Sequence, residues 1–290
     1  MPGGAPNVAV RRGGASQDAS SAASGVRIGR LPSIGAAPNA GEDSAPVQDA
    51  LVGDPDAPDA PDAQASDAEL PAYRRHAAPV QIAQDASTIG VVLIESAGAE
   101  AALRDFPLRV TLALDPFDAD GPRRAAAYRA AGYEIALLAL GIPELATPSD
   151  IAVTLQVWMR EYPQVVALMD VPFDGISTRR AVARDLAQML ALDGYGVIAL
   201  RGTLDAFRQA AQDAGLASAS VYRMLDDGRQ SAGTIRRLID RAGFEAQRSD
   251  GVLIVGSAAN GDTLAALEGF VRTDNRGIAL VPASVVLAVE

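Results

Sequence analysis

Residues 91–98 read VVLIESAG. Four apolar residues run straight into Glu95, and Ser96, Ala97 and Gly98 follow. An unbroken apolar run, with no polar residue alternating in it, belongs to a strand covered on both faces, as in a parallel sheet. The same texture recurs in RVTLAL (109–114), EIALLAL (134–140), QVVALM (164–169), GVIAL (196–200), ASVYRM (219–224, weaker), GVLIVG (251–256) and GIALVP (277–282). Glu95 then stands where a strand hands a carboxylate to the rim of a sheet.

Amphipathic stretches separate these runs, at 119–131, 149–161, 177–192, 203–214, 231–248 and 262–273. TPSDIAVTLQVWMREYP (147–163) opens on Thr, Ser and Asp, which cap helix N-termini. It carries Ile151, Leu155 and Trp158 on one face and ends before Pro163. Two other stretches stop at Gly132 and Gly194, as helices do. Strand and helix alternating in this way predict an α/β domain. GAEAAL, after the first run, lacks the glycine pattern of a dinucleotide-binding turn. Seven or eight units therefore fit a distorted or incomplete (β/α) barrel better than an open nucleotide-binding sheet.

The chain has 290 residues, enough for one sizeable domain and an extra segment. Residues 1–85 form that segment. They are rich in Ala, Pro, Asp, Gly and Ser, and DPDAPDAPDAQASDAELP (54–71) repeats a D-A-P unit. Frequent proline and little apolar surface predict a disordered leader, with the barrel at 86–290. Within it GVRIGRLPSIG (25–35) is either a docking segment for a partner or a chance apolar cluster. At its end, ELPAYRRHAAPV (69–80) is expected to lie against the barrel and close one end, with His76 at the surface.

Composition excludes several chemistries. There is no cysteine and a single histidine, so disulfides, thiolate metal sites and sites with two His ligands from one chain are all excluded. Net charge is −11, every basic residue is arginine, and no basic stripe appears, which argues against nucleic acid. No apolar run approaches the ~20 residues of a transmembrane helix. The opening MPGGAPNVAVRRGG has no apolar signal core.

Taken together, residues 87–290 resemble the divergent polysaccharide deacetylases, a branch of the NodB-type carbohydrate esterases. VVLIESAG is similar to the branch's apolar strand followed by Asp-Asp-Gly, and FPLRVTLALDP, YRAAGYEIALL, AGTIRRLIDRAGFEAQRSDGVLIVG and DTLAALEGF follow its later segments in order. The resemblance implies a distorted (β/α) barrel, carbohydrate metabolism and hydrolysis of N-acetyl groups on glycans. It also implies a divalent metal such as zinc, held by one Asp and two His, with a second Asp as general base and a late His as acid. Carried over, Glu95 stands at the base and Ser96 at the metal-binding Asp. The first metal His falls near Leu138, the late His at Ser257, and a rim Asp near Arg201. LMDVPFDG (168–175) keeps Asp170 but no His. The ligands are replaced, so no metal or other cofactor is expected.

Polar groups remain at the strand ends. On the functional reading, Glu95, Asp115 and Asp170 form an acidic site able to do acid/base work on a sugar without metal. Ser96, Asp174, Arg201, Ser257 and Asn260 then supply ligand contacts, with Arg201 bridging rim carboxylates. On the plain reading each residue caps a helix, sets a turn or faces water. Trp158 and Tyr133 read as packed residues. Three functions follow. The preferred one is a catalytically degenerate member that binds a glycan, such as a peptidoglycan-like saccharide, or a cell-envelope partner. The others are an active hydrolase with a rewired carboxylate site, and a scaffold that recruits partners through its leader. By resemblance the place is the periplasm or cell envelope, behind an upstream anchor, and otherwise the cytoplasm.

Overall fold

The computed structural model describes residues 70–172, 175–202, 205–273 and 277–288. Residues 1–69, including the 25–35 segment, lie outside the described residues. All eight apolar runs form strands: β1 (Ser87–Ile94), β2 (Thr111–Leu114), β3 (Glu134–Leu138), β4 (Val165–Met169), β5 (Gly196–Leu200), β6 (Ser218–Met224), β7 (Val252–Ser257) and β8 (Ile278–Val281). The helices are α1 (Ala72–Arg75), α2 (Glu100–Arg104), α3 (Gly121–Ala130), α4 (Pro148–Glu161), α5 (Arg180–Ala191), α6 (Ala206–Asp213), α7 (Ala232–Ala246) and α8 (Gly261–Arg272). α4 begins as its sequence predicts. The Thr147 side chain accepts from the Asp150 backbone, and Asp150 answers the Thr147 backbone.

Seven parallel strands close into a barrel in chain order, β1 to β7 and back to β1. The closing pairs run from Ile89 opposite Val252 to Ile94 opposite Ser257. Only the last part of β1, Val92 to Ile94, pairs with β2. Its first part, Ser87 to Gly90, pairs instead with β8, which fills the gap at the N-terminal end. The distortion expected from sequence is therefore an eighth strand set beside a closed ring of seven.

Alternation along each strand separates two cores. Val92, Ala113, Ala136, Met169, Ile198 and Val255 fill the interior. Val91, Leu93, Leu112, Leu137 and Leu168 face the helices. Burial on both faces is the reason the strands read as unbroken apolar runs.

The N-terminal end of the barrel is plugged from two sides. The α1 segment docks there as expected, with Ala72 N donating to Asp193 O and Tyr73 N to Gly194 O. Tyr73 joins the interior core. After β8 the chain crosses the same opening. It bonds Thr111 Oγ1 through Ala283 N, sends Leu287 inward and pairs Ala288 with Ser218. Gly90 and Gly196 leave room for this plug: a Cβ on either would lie 2.5 Å from Val286 or Leu287. Fully buried Glu134 ties the parts together, accepting from Ala78 N, Thr111 Oγ1, Ser284 N and Ser284 Oγ.

Candidate functional site

With the N-terminal end plugged, the C-terminal rim is the end at which parallel β/α folds place their chemistry. The side chains that face the interior at this end are apolar: Ile94, Leu140, Val171, Leu200 and Met224. The polar groups lie in the loops around them.

Glu95 continues the outward alternation of Val91 and Leu93, so its side chain enters the helix layer. There it meets Arg124 and Tyr128, one helical turn apart on α3. Arg124 Nε is 3.0 Å from Oε1 and Nη2 is 3.0 Å from Oε2, and the Tyr128 hydroxyl donates to Oε1 at 3.0 Å. The Glu95 side chain is 1% exposed and that of Arg124 is 5% exposed, so the pair is closed from solvent. Arg124 also holds Asp118, in the β2–α3 loop, at 2.7 Å. Its bonds to Asp118 and Glu95 raise the Arg124 pKa, and the same guanidinium holds the Asp118 carboxyl below its ordinary range. Burial, then the charge of Glu95, raises the Tyr128 phenol. One guanidinium thus joins the end of β1 to the loop after β2.

Asp115 turns its own loop: Oδ1 accepts from Phe117 N at 2.8 Å. Asp170, also buried, accepts from three backbone amides, Val171 N at 3.0 Å, Ile176 N at 2.7 Å and Ser177 N at 3.2 Å. It thereby caps a turn of 3-10 helix over Ile176–Thr178. Each of the three carboxylates expected to act together is engaged with its own local partners. Only Glu95 and Asp115 are linked, through Arg124, Asp118 and the bond from Asp118 N to Asp115 O.

Among the expected ligand contacts, Ser96 is exposed and its carbonyl accepts from Ala99 N. Asp174 lies outside the described residues. Arg201 lies over the ring of Tyr222, 5.8 Å from its centroid, and among the described residues it makes no ion pair. Arg124 is an arginine that does bridge two carboxylates, Glu95 and Asp118. Ser257 and Asn260 are brought together by Asp226, whose Oδ2 accepts from Ser257 N, Asn260 Nδ2 and Thr263 Oγ1. Asn260 Oδ1 caps α8 through Asp262 N. Trp158 and Tyr133 are packed in the core, as their sequence context predicts.

The residues missing from the sequence reading are Arg124, Tyr128, Asp118 and Asp226. Only the structure shows what two of them do. Arg124 and Tyr128 share the buried face of α3, where an arginine needs an acid. Asp226, in LDDGR, reads locally as a turn.

The family-equivalent places do not fit a catalytic metal. Leu138 is an alkyl chain in the barrel interior, and the Ser257 hydroxyl accepts from Ala259 N. Neither offers the imidazole or carboxylate that zinc requires. Among the described residues no three His, Cys, Asp or Glu groups are placed to hold a metal ion. No helix among them is long and apolar enough to cross a membrane.

A family model for divergent polysaccharide deacetylases matches residues 94–287. No curated protein matches the chain significantly. Among solved structures, an uncharacterised protein of Agrobacterium tumefaciens C58 superposes with a TM-score of 0.65 at 18% identity, covering 75% of this chain and 96% of that one. The catalytic domain of a peptidoglycan N-acetylglucosamine deacetylase from Eubacterium rectale gives 0.40 at 11% identity, covering 70% and 91%. A family 4 carbohydrate esterase of Bacillus subtilis gives 0.42 at 10% identity, covering 74% and 86%. The first of these carries the likeness of fold; the other two superpose too loosely to argue from.

Proposed function

The chain belongs to the divergent polysaccharide deacetylase family, and on that premise we propose that it binds a glycan of the cell envelope without deacetylating it. One observation carries this reading: the carboxylate in the place of the family's general base is sealed in a bidentate pair with Arg124. A base must reach the proton it abstracts. Glu95 has both oxygens occupied and almost no exposure. Releasing it would leave Arg124 buried with half its partners gone. The alkyl chain of Leu138 at a metal-ligand position supports the same conclusion, since metal polarisation of the amide and activation of water both require a held ion. The proposed ligand is a peptidoglycan-like saccharide, and the proposed place is the periplasm or cell envelope.

Two measurements test this. The purified chain is incubated with N-acetylated chito-oligosaccharides and with peptidoglycan, with and without added Zn²⁺ or Co²⁺, and acetate is quantified. The expected result is no release above background, together with sedimentation of the protein with insoluble peptidoglycan. Metal-dependent acetate release that scales with enzyme would overturn the reading.

A further inference from the structure

Phe117 is an exposed aromatic residue on the C-terminal rim. Its residue is 62% exposed, in a domain whose other large rings are mostly packed. The ring is also held in place. Its edge meets Trp158 with centroids 6.1 Å apart at 84°. Its tip lies against Gly141, where a Cβ would come within 2.5 Å of Phe117 Cε2. Gly141 has φ +67°, so glycine suits that position on two counts, conformation and space. The backbone beneath is fixed as well. Asp115 turns Phe117 N inward, and Arg124 anchors Asp118 one residue further on.

The loop therefore spends an Asx turn, an ion pair and a glycine on holding one apolar ring toward water. The contact with Trp158 leaves most of the ring in water, and a well-ordered exposed ring is suited to stacking because little rotamer entropy is lost on binding. The other requirement of a sugar site is a nearby hydrogen-bond acceptor. Asp115 uses Oδ1 for the turn, while among the described residues Oδ2 has no hydrogen-bond partner. A pyranose offers an apolar C–H face with hydroxyl donors around it, and an exposed ring whose own backbone amide is held by a carboxylate supplies a group for each.

We propose that Phe117 and Asp115 form a stacking subsite for one pyranose ring of the bound glycan, set by the loop that Arg124 braces. The subsite rests on the saccharide-binding function proposed above and gives it a location. It lies in the β2–α3 loop, against Gly141 and Trp158.

The test is calorimetric titration of N-acetylated chitopentaose into the full chain and its Phe117 variants. Phe117→Leu keeps an apolar side chain against Trp158 but removes the ring face, and unchanged thermal unfolding confirms that the fold is intact. It should weaken binding about tenfold, the scale of one lost stacked ring. Phe117→Tyr and Phe117→Trp should stay within about threefold of the wild type. Trp158, the single tryptophan, supplies a second readout: emission should change on titration of the wild type and not of Phe117→Leu. Wild-type binding that Phe117→Leu leaves intact overturns the subsite alone. Failure of the wild type to bind chitopentaose and peptidoglycan overturns the subsite and the glycan-binding function together. Loss of self-association in Phe117→Leu with saccharide affinity unchanged assigns the ring to a contact between copies and overturns the subsite.

Discussion

Arg124 grips Glu95 fork to fork, each of two guanidinium nitrogens 3.0 Å from a different carboxylate oxygen, beneath the surface of the domain. Planar bidentate pairing of this kind is strong when both partners are present and costly when one is lost. Replacing Arg124 by Met would leave Glu95 buried and uncompensated, and about 3–5 kcal/mol of stability should be lost. Removing both charges in Glu95→Leu/Arg124→Met should recover most of that loss, because no orphan charge remains. Urea unfolding of the wild type, both single variants and the double variant closes the cycle. Equal losses from the single and double variants would count against a coupled pair.

Asp170 should prove structural in a measurable way. Its three backbone bonds hold the turn after β4, so Asp170→Ala leaves buried amides without partners. The expected cost is about 2–4 kcal/mol. Hydrogen exchange should localise it, with Ile176 and Ser177 amides losing protection before the strands do. Ser96→Ala is the control at an exposed position and should change stability by less than about 0.5 kcal/mol.

Glu134 fixes the opposite end of the barrel. Glu134→Gln presents an amide donor to groups that are themselves donors. About 3 kcal/mol of stability should be lost, and the Ala78 and Ser284 amides should exchange faster. An unchanged unfolding midpoint would show that the plug does not depend on this carboxylate.

His76 gives the domain a pH dependence above the carboxylate range. Burial first, then the charges of Arg75 and Arg129, lowers its pKa below the ordinary 6.5. The unfolded chain therefore takes up the proton more readily than the folded one. Stability is full above pH 6.5 and declines as pH falls from there through the folded-state pKa. Urea midpoints at pH 7.5 and 5.5 should differ in the wild type and converge in His76→Gln. The chain has one histidine, so no second imidazole confuses the result.

The strands were legible because burial on two faces writes an unbroken apolar run into a few adjacent residues. Four of the six amphipathic stretches match α3, α4, α7 and α8 to within two residues at each end, helped by Thr147 and Gly132 at two of those ends. α5 and α6 each begin three residues later than expected. α2 was missed, because GAEAALR is too short to show a helical period. The site was less legible. Glu95 was picked out by its place at a strand end, but its partner lies 29 residues away in sequence. Nothing in RRAAAY distinguishes Arg124 from the neighbouring exposed Arg123.

The sequence by itself determined the order of strands and helices, the alternating (β/α) architecture, the family, and the absence of thiolate and paired-histidine chemistry. These follow from local periodicity and from which side chains exist. Tertiary structure decided that seven strands close while β8 fills a gap beside β1, because closure depends on register between strands far apart in the chain. It also decided that Glu95 turns outward to Arg124 while Phe117 stays in water. Which side chain meets which across the barrel is set by the packing of helices on strands, and no local pattern encodes it.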